Sequence, residues 1–196
     1  NIPALESVNF SINKGKKVAV VGPNGGGKST LFNVLAGLIP LTEGSLTIEG
    51  KSPSEIKGKV SYVPQKDLIN WNFPLSVKQV VEMGLTTRNS FALFSRNKVN
   101  EKIKKALEDV GLLEKINKSI KNLSGGQLQR VLIARALAQD AEILLLDEAF
   151  SAVDIGAQED IMQLIDNINL DGKTILIATH DAVSYTHLRA HETNSN

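Results

Sequence analysis

Cysteine is absent from all 196 residues, which excludes disulfides and any thiolate-ligated zinc site. An excess of charge of either sign is lacking too: 22 Lys and Arg stand against 21 Asp and Glu, for a formal net charge of +1. No long-range field therefore draws in a polyanion, and no nucleic acid is expected as a partner. No apolar run approaches the ~20 residues that cross a bilayer, and no basic stretch leading into an apolar one opens the chain. Internal repeats and low-complexity tracts are missing as well. What remains is a chain of one-domain length, long enough to bury a core and to carry an inserted subdomain.

Short apolar runs alternate with helical patterns. KVAVV (17–21), ILLLD (143–147) and TILIA (174–178) are continuous and rich in β-formers, as in buried parallel strands. Val8, Phe10 and Ile12 alternate as in a half-exposed edge strand. Ile103, Leu107 and Val110 recur at helical spacing, and GGQLQRVLIARALA reads as a second, more buried helix.

The first motif with chemistry is VVGPNGGGKST, in which Gly22 to Ser29 keep the G-x-x-x-x-G-K-S spacing between a strand and a helix. Phosphate oxygens need several donors converging on them, so the loop must turn its amides inward, and Gly25, Gly26 and Gly27 permit that. Lys28 is placed to neutralise the β and γ phosphates, Ser29 to offer a hydroxyl to Mg²⁺, and the helix opening near Lys28 to point its positive end at the anion. A second magnesium anchor is expected where AEILLLDEAF ends a buried strand in Asp147. Adjacent Glu148 points elsewhere, so one carboxylate is free for the metal or its water and the other for the attacking water.

NLSGGQ opens the helix that follows. Ser124 is a credible N-cap, but two glycines at the first helical positions cost about a kcal/mol each against alanine, which suits a backbone that a phosphate must approach. At this point the chain resembles the ATP-binding subunit of an ABC transporter. GPNGGGKST, VPQ with Gln65, LSGGQ, ILLLDEAFSAVD and TH with His180 stand in family order over residues 1 to about 182.

The resemblance implies an α/β fold: a P-loop NTPase of the ABC type, with a mainly parallel core sheet, an antiparallel β edge and an inserted helical subdomain. The sheet core would comprise 1–65 and 141–182, and the helical subdomain 66–140. It also implies a head-to-tail homodimer holding two ATP molecules with Mg²⁺. Each site would combine Gly22, Pro23, Asn24, Gly25, Gly26, Gly27, Lys28, Ser29 and Thr30 of one chain with Ser124, Gly125, Gly126 and Gln127 of the other. Gln65 would sense Mg²⁺ and the attacking water, Glu148 would be the general base, Asp154 would communicate across the dimer, and His180 would contact the γ-phosphate. Magnesium would rest on Ser29, Gln65 and Asp147. By spacing alone, Gln65 is equally a polar residue after a proline turn and His180 a surface imidazole.

The chain departs from the family pattern in three places. No aromatic residue precedes Phe10, where the family stacks the adenine. Ala149 follows the glutamate where the family usually carries proline, which is expected to loosen the turn. After THD the family's next strand and C-terminal helices do not follow. Instead, VSYTHLRAHET (183–193) resembles the in-frame translation of a transposase-type sequencing-library adapter, and 183–196 is expected to be a non-native tail. That tail holds His187 and His191, four apart, with Glu192 beside them. As a zinc site it would need further ligands and a second shell that NSN does not suggest.

The segment NWNFPLSVKQVVEMG resembles the corresponding region of ATPases that serve bacterial uptake of manganese, zinc or iron. This implies integral-membrane permease partners, an extracytoplasmic metal-binding protein, and a place on the cytoplasmic face of the membrane. Trp71, Phe73, Leu75 and Val77 either receive a coupling helix of the permease or pack the helical subdomain. The alternatives are a transporter of another cargo, or a soluble ABC-type ATPase of translation or DNA-linked processes. The interval 66–123 carries no sustained heptads, which excludes a chromosome-type coiled-coil arm.

Overall fold

The computed structural model describes residues 4–56, 58–65, 73–85, 96–151 and 153–180. Four strands, β1 (Lys17–Val21), β2 (Val60–Val63), β3 (Ile143–Asp147) and β4 (Thr174–Thr179), form one sheet in the order β1-β4-β3-β2. Every pairing is parallel, with Val21 level with Thr179, Asp147 with Ala178 and Val63 with Leu146. All four strands therefore end at the same edge, where their connections to the next elements can meet.

The apolar runs of β3 and β4 are continuous because both faces of the sheet are covered. One face sets Leu145, Leu176 and Ala178 against Phe32 and Leu35 of α1 (Lys28–Leu35). The other sets Leu144, Leu146, Ile175 and Ile177 into a larger core with α4 (Gly125–Ala138) and α5 (Ile155–Leu170), including Val131, Ile133, Ile161 and Ile165. Each such fully buried side chain stabilises the fold by about 1.5–3 kcal/mol.

In the interval read as helical, α2 (Val77–Leu85) and α3 (Arg96–Asp109) pack with α4, and Ile103 and Leu107 are fully buried as their spacing predicts. Helix α2 passes α4 at Gly84, where a Cβ would come within 2.2 Å of the Arg135 carbonyl oxygen. The aromatic segment divides: Val77 is core and Leu75 packs on it, Phe73 is 61% exposed, and Trp71 lies outside the described residues.

The expected antiparallel edge is not formed as a strand pair among the described residues. Residues 8–12 form no strand, and antiparallel pairing among the described residues is confined to the isolated bridges Ile48–Lys51 and Ser76–Ser119. Val8 and Phe10 are about half exposed, at 49% and 51%. Alternation marks one face of a strand but supplies no partner for its amides and carbonyls. The proposed tail, with His187, His191 and Glu192, lies outside the described residues.

Candidate functional site

The strand ends assemble most of the predicted residues on one edge of the sheet. Leaving β1, the Gly22 amide donates to the Thr179 carbonyl at the end of β4 (3.3 Å), and the chain then turns through Gly25 (φ 77°) and Gly27 (φ 82°) into α1. These positive φ values favour glycine. At Gly27 a Cβ would also meet the Ala4 carbonyl oxygen at 2.5 Å and the Leu5 side chain at 2.7 Å. Helix α1 has no side-chain cap, so its first amides are left to a ligand or to water. Lys28 is buried, and its ammonium donates to the carbonyls of Gly22 (2.8 Å) and Pro23 (2.9 Å). The cation is thus folded back onto its own loop.

At the end of β3, Asp147 and Glu148 differ in burial. Asp147 is 1% exposed, on the same sheet face as Leu145 and α1; its Oδ2 accepts from the Tyr62 hydroxyl at 2.9 Å while Oδ1 has no hydrogen-bond partner. Burial, and then the charge of Asp147, push the Tyr62 hydroxyl pKa upward, so it stays a donor. Glu148 is half-buried and takes φ 49°, a left-handed conformation unusual for a side chain with a Cβ. Its amide donates to the Ala178 carbonyl (3.0 Å), and its carbonyl accepts from the Ser151 amide (3.0 Å) and hydroxyl (2.9 Å). The turn expected to be loosened by Ala149 is closed by these bonds, and Ala149 itself is fully buried.

Asp154 is the N-cap of α5, accepting from the Ala157 amide at 2.9 Å. Gln158 holds the preceding segment by donating its side-chain amide to the carbonyls of Phe150 (3.2 Å) and Val153 (2.9 Å). Ser124 caps α4 as predicted, and the cap is reciprocal. The Gln127 amide donates to Ser124 Oγ (3.3 Å), and the Ser124 amide donates to Gln127 Oε1 (3.2 Å). Gly126 has a packing reason the sequence does not disclose, because a Cβ there would meet the Ala157 Cβ at 2.8 Å. Among the described residues, no hydrogen bond joins Ser124–Gln127 to Gly22–Thr30.

Gln65 follows β2 and is half-buried, and His180 follows β4 and is exposed. Spacing missed Tyr62 and Gln158. No local signal marks Tyr62, which lies far from Asp147 in sequence and is brought to it only by the β2–β3 register.

The order of these segments along the chain decides the family. The sequence profile described as ABC transporter matches residues 5–151. The chain belongs to the ABC transporter family. It is 42% identical over 180 residues to a manganese transport system ATP-binding protein of Listeria monocytogenes, covering 91% of this chain and 74% of that one. It is 38% identical over 179 residues to a zinc transport system ATP-binding protein of Treponema pallidum, with 91% and 67% covered. Among solved structures it resembles a metal-chelate type ABC transporter in an inward-facing conformation (TM-score 0.81, 31% identity, 94% of this chain and 71% of that one). It also resembles a dimeric ATP-binding cassette in a post-hydrolysis state with ADP and phosphate (TM-score 0.77, 33% identity, 92% and 82% covered). ABC cassettes bind and hydrolyse ATP, and this ABC cassette shares their α/β sheet.

Proposed function

We propose that this ABC cassette is the ATP-hydrolysing subunit of a bacterial uptake system for a transition metal ion, manganese, zinc or iron. The observation that carries the ATPase half is the common edge at which Gly22–Thr30, Asp147, Glu148, Gln65 and His180 lie. The cargo half rests on similarity to the manganese and zinc relatives. In this reading the sheet core is 1–65 with 141–182, and 66–140 is the helical unit that faces the permease.

Lys28 exchanges its two loop carbonyls for β- and γ-phosphate oxygens, and the uncapped amides of α1 take the remaining negative charge. Orphaned Oδ1 of Asp147 fits a metal: a buried carboxylate oxygen without a partner is costly unless a cation or its water completes it. Among the described residues no three His, Asp or Glu side chains gather into a metal cluster. That suits Mg²⁺, which is bound through one or two carboxylates plus the substrate's phosphates. Ser29, Gln65 and Asp147 would hold it, and it would supply neutralisation of the phosphate charge. Glu148 takes the proton of the attacking water, and His180 donates to the γ-phosphate. Ser124–Gln127 act on the ATP of a second copy in a head-to-tail dimer, and Asp154 communicates across it. Although Ser124 Oγ accepts from Gln127, its own hydroxyl proton remains free to donate.

No helix of the described residues is long and apolar enough to cross a membrane. In this reading the permease holds the cassette at the cytoplasmic face, and an extracytoplasmic metal-binding protein delivers the cargo. The test is reconstitution with the permease subunits in vesicles, measuring ATP-dependent uptake of Mn²⁺, Zn²⁺ and Fe²⁺. Hydrolysis of ATP without uptake of any of the three would sink the metal reading and leave the ATPase standing.

A further inference from the structure

Tyr62 is the third residue of β2 and stands level with Leu145 of β3. In-register neighbours in a parallel sheet share a face, so Tyr62 points to the face that also carries Asp147, two residues beyond Leu145. Two residues of strand are about 6.6 Å, a gap that a tyrosine's phenol spans and a serine or threonine hydroxyl does not. The hydroxyl reaches Asp147 Oδ2 at 2.9 Å. The two oxygens of one carboxylate thus become unlike: Oδ2 is held, and Oδ1 is buried without a partner.

A half-buried tyrosine needs some hydrogen-bond partner, and satisfying that need is the plainer explanation of the contact. It accounts for the tyrosine but not for the carboxylate. A carboxyl side chain that is 1% exposed and has one bare oxygen is destabilising in the ligand-free fold. The phenol is a single donor, and it is spent on Oδ2, so Oδ1 is left without one. We propose that Tyr62 is a positioning residue for the nucleotide's metal, holding Oδ2 so that Oδ1 is the oxygen presented to Mg²⁺ or to its water. The inference rests on the proposal that this site binds a magnesium–nucleotide complex, and it adds a residue that the phosphate motifs do not contain.

The experiment uses the full chain with Mn²⁺ as a paramagnetic probe and a non-hydrolysable ATP analogue, in wild type, Tyr62→Phe and Tyr62→Met. Free Mn²⁺ is read by electron paramagnetic resonance, analogue affinity is measured in EDTA, and melting temperature is followed without metal. Outer-shell partners of metal ligands typically govern 10- to 100-fold in metal affinity. Tyr62→Phe, which removes one oxygen atom, is expected to weaken Mn²⁺ binding about tenfold while affinity for the metal-free analogue stays within twofold. The Mg²⁺ concentration for half-maximal ATPase should rise by the same factor, and kcat should recover at saturating Mg²⁺. Tyr62→Met lacks the ring as well, so the same defect in both variants follows the hydroxyl. Wild-type Mn²⁺ affinity in Tyr62→Phe, with only a lowered melting temperature, would overturn the inference and leave a structural hydrogen bond. Failure of the wild-type chain to bind the Mn²⁺–analogue complex at all would overturn the functional reading of the site itself.

Discussion

Two helices of this cassette open on glycine-rich segments, and the two openings are chemically unlike. At α1 the loop glycines Gly25 and Gly27 adopt positive φ, no side chain caps the helix, and the nearest cation, Lys28, occupies the loop's own carbonyls. At α4 the cap is closed on both sides by Ser124 and Gln127, and Gly126 is small because Ala157 lies against it. The first opening is a cradle with unfilled donors, and the second is a finished, rigid end with one hydroxyl proton to spare. In the proposed reading, glycine content alone therefore does not tell a site that binds phosphate from a site presented to phosphate held elsewhere. The state of the cap does.

The sharpest way to separate the two openings is to remove the chemistry that both are proposed to serve. Glu148→Gln should lower hydrolysis by roughly 10²–10⁴-fold with ATP binding retained, measured as phosphate release against equilibrium nucleotide titration, and unchanged turnover would remove Glu148 from its role. Next in size is the contrast between Lys28→Ala and Ser124→Arg. The first should weaken ATP binding about 10- to 100-fold in the monomer. The second should leave monomer binding intact while hydrolysis is lost. Mixing the two variants should restore part of the ATPase if the openings belong to one shared site, and equal loss of ATP affinity in Ser124→Arg would break the comparison.

Smaller still is Gly126→Ala. A methyl group 2.8 Å from the Ala157 Cβ forces α4 and α5 apart, at a cost of about 1–3 kcal/mol, read as a lower denaturation midpoint. The same change at Gly25, where a Cβ meets nothing within 4 Å but φ is 77°, should act through backbone strain alone. The least effect is expected far from both openings, where Glu142 bonds Lys14 and Lys59 at 2.5 and 3.1 Å. Those two ammonium groups lower its carboxyl pKa to about 2, so the pairing stabilises the fold above the ordinary carboxylate range and is lost as pH falls toward about 2. Being solvent-facing, it is screened by salt. Glu142→Gln should flatten the acid limb of stability with little change at neutral pH, and a large neutral-pH loss would contradict the assignment.

Much of the site was legible because its signals are local. The strand-loop-helix context of Gly22–Ser29, the apolar run ending in Asp147 and the Ser124 cap each occupy a few consecutive residues, where propensity and spacing act directly. The Tyr62–Asp147 contact, the reason for glycine at 126 and the left-handed backbone of Glu148 were not legible. Each depends on which element lies beside which, and no periodicity encodes that. The antiparallel edge is less legible for a related reason: Val8, Phe10 and Ile12 have the right alternation but no partner strand among the described residues. Ile103 and Leu107 show periodicity succeeding, since a helical apolar position needs only a helix and a core to be correct.

The backbone of Glu148 carries one further consequence. For a residue with a Cβ, a φ of 49° is disfavoured by roughly 1–2 kcal/mol relative to ordinary conformations, and the bonds from Ser151 and Ala178 hold it there. With Glu148 as the proposed general base, thermal tolerance and turnover would be set against each other at a single position. A chain selected only for resistance to heat would drift toward glycine or asparagine at that position, giving a protein that lasts longer and, with its proposed base gone, turns over far more slowly.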